Sequence, residues 1–135
     1  MSENSRPVPD VTPETKPYWE AAADGRLLLR ECQSCNLTYH YPRALCPDCF
    51  SDDVEWIEAA GTGDVYSYSV SESMEGWPES DLPIVVAYVE LEEGPRVLTN
   101  IDGSPQNVTI GSRVEVRFAD VAEDIAVPIF ELVDD

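Results

Sequence analysis

Two Cys-x2-Cys pairs, Cys32/Cys35 and Cys46/Cys49, stand ten residues apart in a chain with no other cysteine and one histidine. A Cys-x2-Cys turn aims two thiolates at one point. Two such turns complete the tetrahedral sulfur shell that zinc takes, at Zn–S distances of about 2.3 Å. Iron fits the same sulfur set. A four-thiolate shell leaves no position for water or substrate, so the metal is expected to hold the fold and do no chemistry. Asn36 follows the second cysteine, where left-handed backbone is often needed, and asparagine tolerates that conformation. Phe50 follows the fourth cysteine and is less suited.

The same cysteines could form two disulfides, or one pair could be a redox dithiol. Met1 opens into a polar segment without an apolar signal region, so the chain is expected to be cytoplasmic, with reduced thiols. The pairing of two motifs also argues against a lone redox dithiol.

Other chemistry is sparse. A serine triad would have to use His40, which lies between the two cysteine pairs and is expected to pack on the ribbon. Lys16, near the N-terminal end, is a poor Schiff-base residue. Asp and Glu number 27 against 8 Lys plus Arg, for a formal net charge of −19. Among so many surface acids no catalytic carboxylate pair stands out. The chain is therefore expected to be non-catalytic. Hydrophobic residues make up 43% of it, which excludes wholesale disorder and puts the charge on the surface of a folded protein. An acidic surface with a single lysine, Lys16, suggests a halophilic protein.

Three parts position these residues. Residues 1–12 read as a flexible arm with Pro7 and Pro9. Residues 13–55 hold a helix and the metal ribbon. Thr15 can cap a helix running to Asp24, Trp19, Ala22 and Ala23 share one face, and Gly25 stops it. Leu27–Glu31 and Leu37–Tyr41 then form a hairpin over the metal. Residues 56–135 change period. Strands are predicted at 65–70, 84–91, 96–101, 113–118 and 129–133, punctuated by Gly94-Pro95, Asp102-Gly103 and Gly111. Five strands with almost no helix make a small barrel of OB-like topology, in which 104–109 has room only for a helical turn. No membrane span is present.

These residues resemble a known family. Tyr18-Trp19, Gly25-Arg26-Leu27, Cys32-x2-Cys35, Tyr41-Pro42-Arg43 and Cys46-Pro47-x-Cys49 carry the likeness in the first half. Trp56, Gly61-x-Gly63-x-Val65-Tyr66-Ser67-Tyr68 and Gly94-Pro95-Arg96-Val97-Leu98-Thr99-Asn100 carry it in the second. Together they are similar to OB-fold proteins with an N-terminal rubredoxin-like zinc ribbon, acyl-CoA-associated accessory proteins of thiolases. The resemblance implies a mainly β chain, an N-terminal helix and zinc ribbon followed by a five-stranded OB-fold barrel. It also implies a non-catalytic scaffold that binds a thiolase-fold enzyme and assists acyl-CoA transfer. Archaeal relatives bridge acetoacetyl-CoA thiolase and hydroxymethylglutaryl-CoA synthase, and bacterial ones support a thiolase-like aldolase acting on steroid side chains.

CoA, if shared with the partner, needs guanidinium or helix N-termini for its phosphates and an apolar groove for its pantetheine. Arg43 beside Tyr41 is the best-placed cation, with a packing or ion-pair role as the alternative. Trp77, in a loop spanning 74–82, suits a partner or ligand contact, or simply caps the barrel. Arg96 and Arg117 fall in strands and are expected to be ion-paired. The rival function is nucleic-acid binding, which zinc ribbons and OB-folds also perform. It requires clustered cations beside stacking aromatics; Tyr66 and Tyr68 are present, but the cations are few.

Overall fold

The computed structural model describes residues 8–73, 77 and 82–133. Residues 8–12 carry no helix or strand; the rest of the expected arm lies outside the described residues.

Helix α1 (Lys16–Ala23) buries Tyr18, Trp19, Ala21 and Ala22. Thr15 does not cap it as expected. Its hydroxyl is buried and turned back to Thr12, whose N–H donates to Thr15 Oγ1 at 3.1 Å, so it makes no side-chain cap. The C-terminal end follows the expectation: Gly25 sits at φ +81°, and the Gly25 and Arg26 amides close on Ala22 and Ala21 carbonyls at 3.0 and 2.9 Å.

Strands β1 (Leu28–Cys32) and β2 (Thr38–Tyr39) form the hairpin that carries the first cysteine pair. A third strand, β3 (Val54–Glu58), pairs with β1 over its whole length, from Leu28↔Glu58 to Cys32↔Val54. This strand runs across the domain boundary expected at residue 55 and belongs to the ribbon sheet.

Strands β4 (Thr62–Ser71), β5 (Ile84–Leu91), β6 (Arg96–Asp102), β7 (Arg113–Ala122) and β8 (Ile125–Leu132) close a barrel in the order β4-β5-β6-β8-β7. A single 3-10 turn, Pro105–Asn107, occupies the expected short connection between β6 and β7. The alternation is clear in β5, where Val85, Ala87, Val89 and Leu91 are buried while Tyr88 and Glu90 face outward. The β6–β8 closure is short, with register pairs only at Ile101↔Phe130 and Asp102↔Glu131. That leaves Arg96–Leu98 of β6 without a register partner in β8, while the Thr99 hydroxyl donates to the Pro128 carbonyl at 3.3 Å.

One apolar cluster runs through the whole chain. Tyr18, Trp19, Leu27 and Leu29 from the N-terminal part join Val65, Val89, Val97, Val114 and Phe130 of the barrel in it. Helix α1 packs against β8, β7 and β1, and so plugs the ribbon onto the barrel. The described ion pairs lie outside this core. Arg117 meets Asp102 at 2.7 Å, Arg96 meets Glu90 at 3.4 Å, and Arg113 pairs with Asp64 and Glu92. Such exposed pairs are each worth about 0–1 kcal/mol, so burial of the shared core dominates stability.

Two glycines test this packing. A Cβ on Gly63 would stand 2.4 Å from the Glu90 carbonyl oxygen, because β4 and β5 cross closely there. Gly63→Ala is expected to cost about 2 kcal/mol by overpacking. Gly25→Ala meets open space but keeps the positive φ, and is expected to cost about 1 kcal/mol. Urea midpoints at constant m-value check both; equal costs at the two sites would contradict the close-approach account.

Candidate metal centre and adjoining groove

The cysteine sulfurs of Cys32, Cys35, Cys46 and Cys49 all lie within 4.8 Å of one another. Cys32–Cys49 and Cys35–Cys46 are both 3.6 Å apart. A tetrahedron with bonds of about 2.3 Å has edges of about 3.8 Å, so this donor set fits zinc. The spacing is far beyond the ~2.05 Å of a disulfide, and all four thiols are free. Cys32 and Cys46 are buried, Cys35 and Cys49 exposed.

Backbone amides support the sulfurs. Cys35 and Ser34 donate to Cys32 Sγ at 3.4 and 3.3 Å, and Asp48 donates to Cys46 Sγ at 3.4 Å. Those two amides on Cys32, Cys35 first, draw its thiol down to about 7 against the opposing effect of desolvation. Cys35 goes the other way. The Leu37 amide pulls it down, but desolvation and the neighbouring sulfurs together push it up to about 12. Four sulfurs this close cannot all ionise without a cation to neutralise them, which is the condition a divalent metal meets.

Each knuckle turns through a left-handed residue, Asn36 at φ +67° and Phe50 at φ +65°. The Asn36 and Phe50 amides close these turns on the Cys32 and Cys46 carbonyls, both at 2.9 Å. Asparagine was the readable one of the pair. Phe50 adopts the same conformation without a suitable side chain and leaves its ring 73% exposed.

Between ribbon, helix and barrel lies a groove of about 620 Å³. Tyr18 and Trp19 of α1, Tyr41 and Arg43 of the ribbon, and Tyr88 and Leu98 of the barrel contribute to its walls. It sits over Arg96–Leu98 of β6, beside Val127 and Pro128 of β8. The ribbon loop is held in place by Tyr39, whose hydroxyl donates to the Arg43 carbonyl at 2.8 Å, and by Glu14, whose carboxylate accepts the Ala44 amide at 2.6 Å. Arg43 makes no ion pair with any described acid, unlike Arg26, Arg96, Arg113 and Arg117. Trp19 Nε1 is buried and has no hydrogen-bond partner among the described residues.

Tyr41 and Arg43, read from the sequence as contact candidates, therefore share one groove. Trp77 does not join them. It lines a separate hollow with Leu82, Pro83, Asn100 and Ile129, and residues 74–76 and 78–81 of its loop lie outside the described residues. The sequence reading missed Tyr88, Leu98 and Pro128 as groove residues. The only signal for Tyr88 and Leu98 was large apolar character at outward positions of strands. Arg96 and Arg117 are ion-paired as expected, and Arg96 also lies over the Tyr66 ring at 3.8 Å.

His40 packs on α1 through its ring edge and a 3.1 Å hydrogen bond between Tyr18 Oη and His40 Nε2. Desolvation lowers its pKa to about 4. The folded state thus prefers neutral imidazole, whose tautomer sets which partner donates in the Tyr18 Oη–His40 Nε2 bond. Burial, and next the nearby Tyr41, push the Tyr18 hydroxyl up, so it stays protonated.

Three outcomes are expected from this centre. Replacing Cys32 and Cys46 together by serine should release the metal and melt the ribbon, read by metal content and circular dichroism; full metal and unchanged stability would refute the site. Phe50→Gly relieves the positive φ and is expected to stabilise by about 0.5 kcal/mol with metal retained, since no described contact is lost that glycine would need. For His40, the unfolded chain binds its proton near 6.5 and the folded one only near 4. Stability held above pH 6.5 is therefore lost as pH falls toward 4, and His40→Gln should flatten that part of the profile. An imidazole NMR titration centred near 6.5 in the native protein would refute it.

Residues 19–55 match the description "ChsH2, rubredoxin-like zinc ribbon domain", and residues 56–119 match "ChsH2, C-terminal OB-fold domain". A probable enoyl-CoA hydratase alpha subunit of Thermomonospora curvata is 38% identical over 126 residues. The match covers 93% of this chain and 39% of that protein, so this chain spans well under half its relative's length. A DUF35 domain-containing scaffold protein of Methanocaldococcus jannaschii is 39% identical over 69% of this chain and 67% of its own. The benzoylsuccinyl-CoA thiolase subunit BbsA of Thauera aromatica is 26% identical over 89% of this chain and 90% of its own. Among solved structures, a chain of the Ltp2-ChsH2(DUF35) aldolase superposes with a TM-score of 0.81 at 37% identity, covering 92% of this chain and 98% of that one. With both halves matched in order, and a solved relative matched over almost its full length, this chain belongs to the ChsH2/DUF35 family of zinc-ribbon and OB-fold proteins.

Proposed function

We propose that this chain is a non-catalytic accessory subunit that binds a thiolase-fold enzyme and assists the handling of its acyl-CoA substrate. The observation that carries the reading is the match over 98% of a chain from an aldolase whose name joins two components. A thiolase subunit and a scaffold protein among the relatives point the same way. The site chemistry is compatible with it: four cysteines are committed to a closed shell, and the one histidine is held neutral against Tyr18.

The groove is the place where such a subunit would touch CoA. Arg43 is a cation without a described carboxylate, in a chain whose acids outnumber its bases 27 to 8. A guanidinium of this kind suits a phosphate, and the aromatic walls around Tyr41 suit the apolar arm of the ligand. Trp77, at its separate hollow, serves as a contact for the partner protein. Acetoacetyl-CoA is the finer choice of acyl chain, with acetoacetyl-CoA thiolase as the partner and hydroxymethylglutaryl-CoA synthase as a second enzyme in the same assembly.

The direct test is to tag the chain in its native host, purify it gently at high salt and identify what elutes by mass spectrometry. A thiolase-fold enzyme in near-stoichiometric amount is expected, and the identity of any second enzyme fixes the pathway. Nucleic acid in its place, visible in the absorbance ratio, would instead favour the nucleic-acid reading. Within a recovered complex, Arg43→Gln is expected to weaken acyl-CoA binding about tenfold, the effect of one lost charge-assisted hydrogen bond. Unchanged affinity would remove Arg43 from the site.

A further inference from the structure

Strand β4 carries an open edge. It pairs with β5 along Gly63–Ser71, but with β7 only at Thr62↔Glu115, Gly63↔Val114 and Asp64↔Arg113. Beyond Val65, whose N–H and C=O meet Ser112 and Gly111 at 2.9 and 2.8 Å, the β7 side of β4 has no strand beside it among the described residues.

Hydrogen-bond parity says which groups are left over. The Glu92 amide donates to the Thr62 carbonyl, on the β5 side, whereas Val65 bonds on the β7 side. Opposed residues in an antiparallel pair alternate in this way. A bulge at Val65/Ser67 sets two residues against Tyr88. Past it, Tyr68 (opposite Ala87) and Val70 (opposite Val85) again direct their backbone groups away from β5, toward the open edge.

The side chains tell the same story. Residues directly opposite one another share a sheet face, and Ala87 and Val85 are each 1% exposed. Tyr68 and Val70 thus lie on the face that elsewhere lines the core, yet they are 37% and 42% exposed. They form a strip of barrel interior that β7 leaves uncovered because it begins only at Arg113, opposite Asp64. Proteins usually guard such edges with lysine, proline or inward charges. Here Val65-Tyr66-Ser67-Tyr68-Ser69-Val70-Ser71 contains no charge, no proline and no glycine, in a chain that is 26% charged.

We propose that the Tyr66–Ser71 edge of β4 receives an extended segment of the partner enzyme by strand addition. The segment would add hydrogen bonds to the Tyr68 and Val70 backbones and lay alternate apolar side chains over the exposed strip. Charge selects the occupant. A second copy would bring another −19 against this surface, whereas a segment with an apolar centre and basic flanks complements it and the exposed Glu72 beside the strip. The proposal rests on the accessory-subunit reading and adds where and how the partner docks.

Val70→Pro is the discriminating variant. It removes an N–H that faces the open edge and puts a ring in the path of an added strand, while the bonds to β5 remain. Tyr68→Lys, which charges the strip without touching the backbone, is the second variant. Both are to be tested with the thiolase-fold enzyme recovered with the native chain, after metal content and circular dichroism confirm that they fold. About tenfold or greater loss of affinity for each is expected. Hydrogen exchange at Tyr68 and Val70 should slow at least about tenfold in the wild-type complex. Wild-type affinity in both variants with no added protection would overturn the edge proposal and leave the accessory reading standing. A wild-type dimer of this chain in sedimentation, lost in Val70→Pro, would make the occupant a second copy and overturn it too. Failure of the wild type itself to bind the enzyme would refute the accessory reading.

Discussion

The convergence of four sulfurs to within 4.8 Å is the constraint on which the N-terminal half depends. The stretch from Leu28 to Phe50 has only two short strands and two turns, one of them through a strained phenylalanine, and it offers few buried apolar side chains of its own. Small segments of this kind hold a shape through a metal when they cannot through a core. Once the knuckles are fixed, the loop from Tyr39 to Ala44 is anchored by the Tyr39–Arg43 hydrogen bond and by Glu14, and sets His40 against Tyr18. The groove wall is therefore a second-order result of the metal shell: sulfur geometry orders the loop, and the loop places Tyr41 and Arg43.

Much of this was legible in the chain. The cysteine spacing specified the shell because thiolate geometry is a local property of a four-residue turn. The barrel strands were readable from alternation, and β5 and β6 match their expected limits to within a residue. β4 and β7 extend several residues beyond expectation because glycine and charge at their ends mask strand character, as at Thr62-Gly63-Asp64. β3 was hidden for a different reason. Val54–Glu58 has a strand-like composition, but its partner β1 lies more than twenty residues away in sequence, and only pairing assigns it to the ribbon sheet. Thr15 illustrates the limit of local rules, since a threonine before a helix can spend its hydroxyl on Thr12 instead of the helix amides.

The groove was legible only in part, since it is assembled from three elements far apart in the chain. Arg43 stood out because cations are scarce in this composition. Tyr88 and Leu98 carried no local mark beyond outward position, and Trp77 was drawn toward the same function by residue type alone. Position along a chain does not report which of several barrel ends a loop occupies. The open stretch of β6 that underlies the groove arises from the short β6–β8 closure, and nothing in the sequence of either strand signals it.

The sequence divides neatly at the end of the ribbon, yet the core does not. Tyr18, Trp19, Leu27 and Leu29 share one apolar cluster with Phe130 and the β5 valines. The two halves consequently cannot be exchanged as independent cassettes: a ribbon grafted from a distant relative would arrive with a helix shaped for another β8. Recombination in such a lineage should respect the contact between α1 and the barrel rather than the boundary between the two named modules. What looks like a pair of portable parts is, in evolutionary bookkeeping, a single inheritable unit.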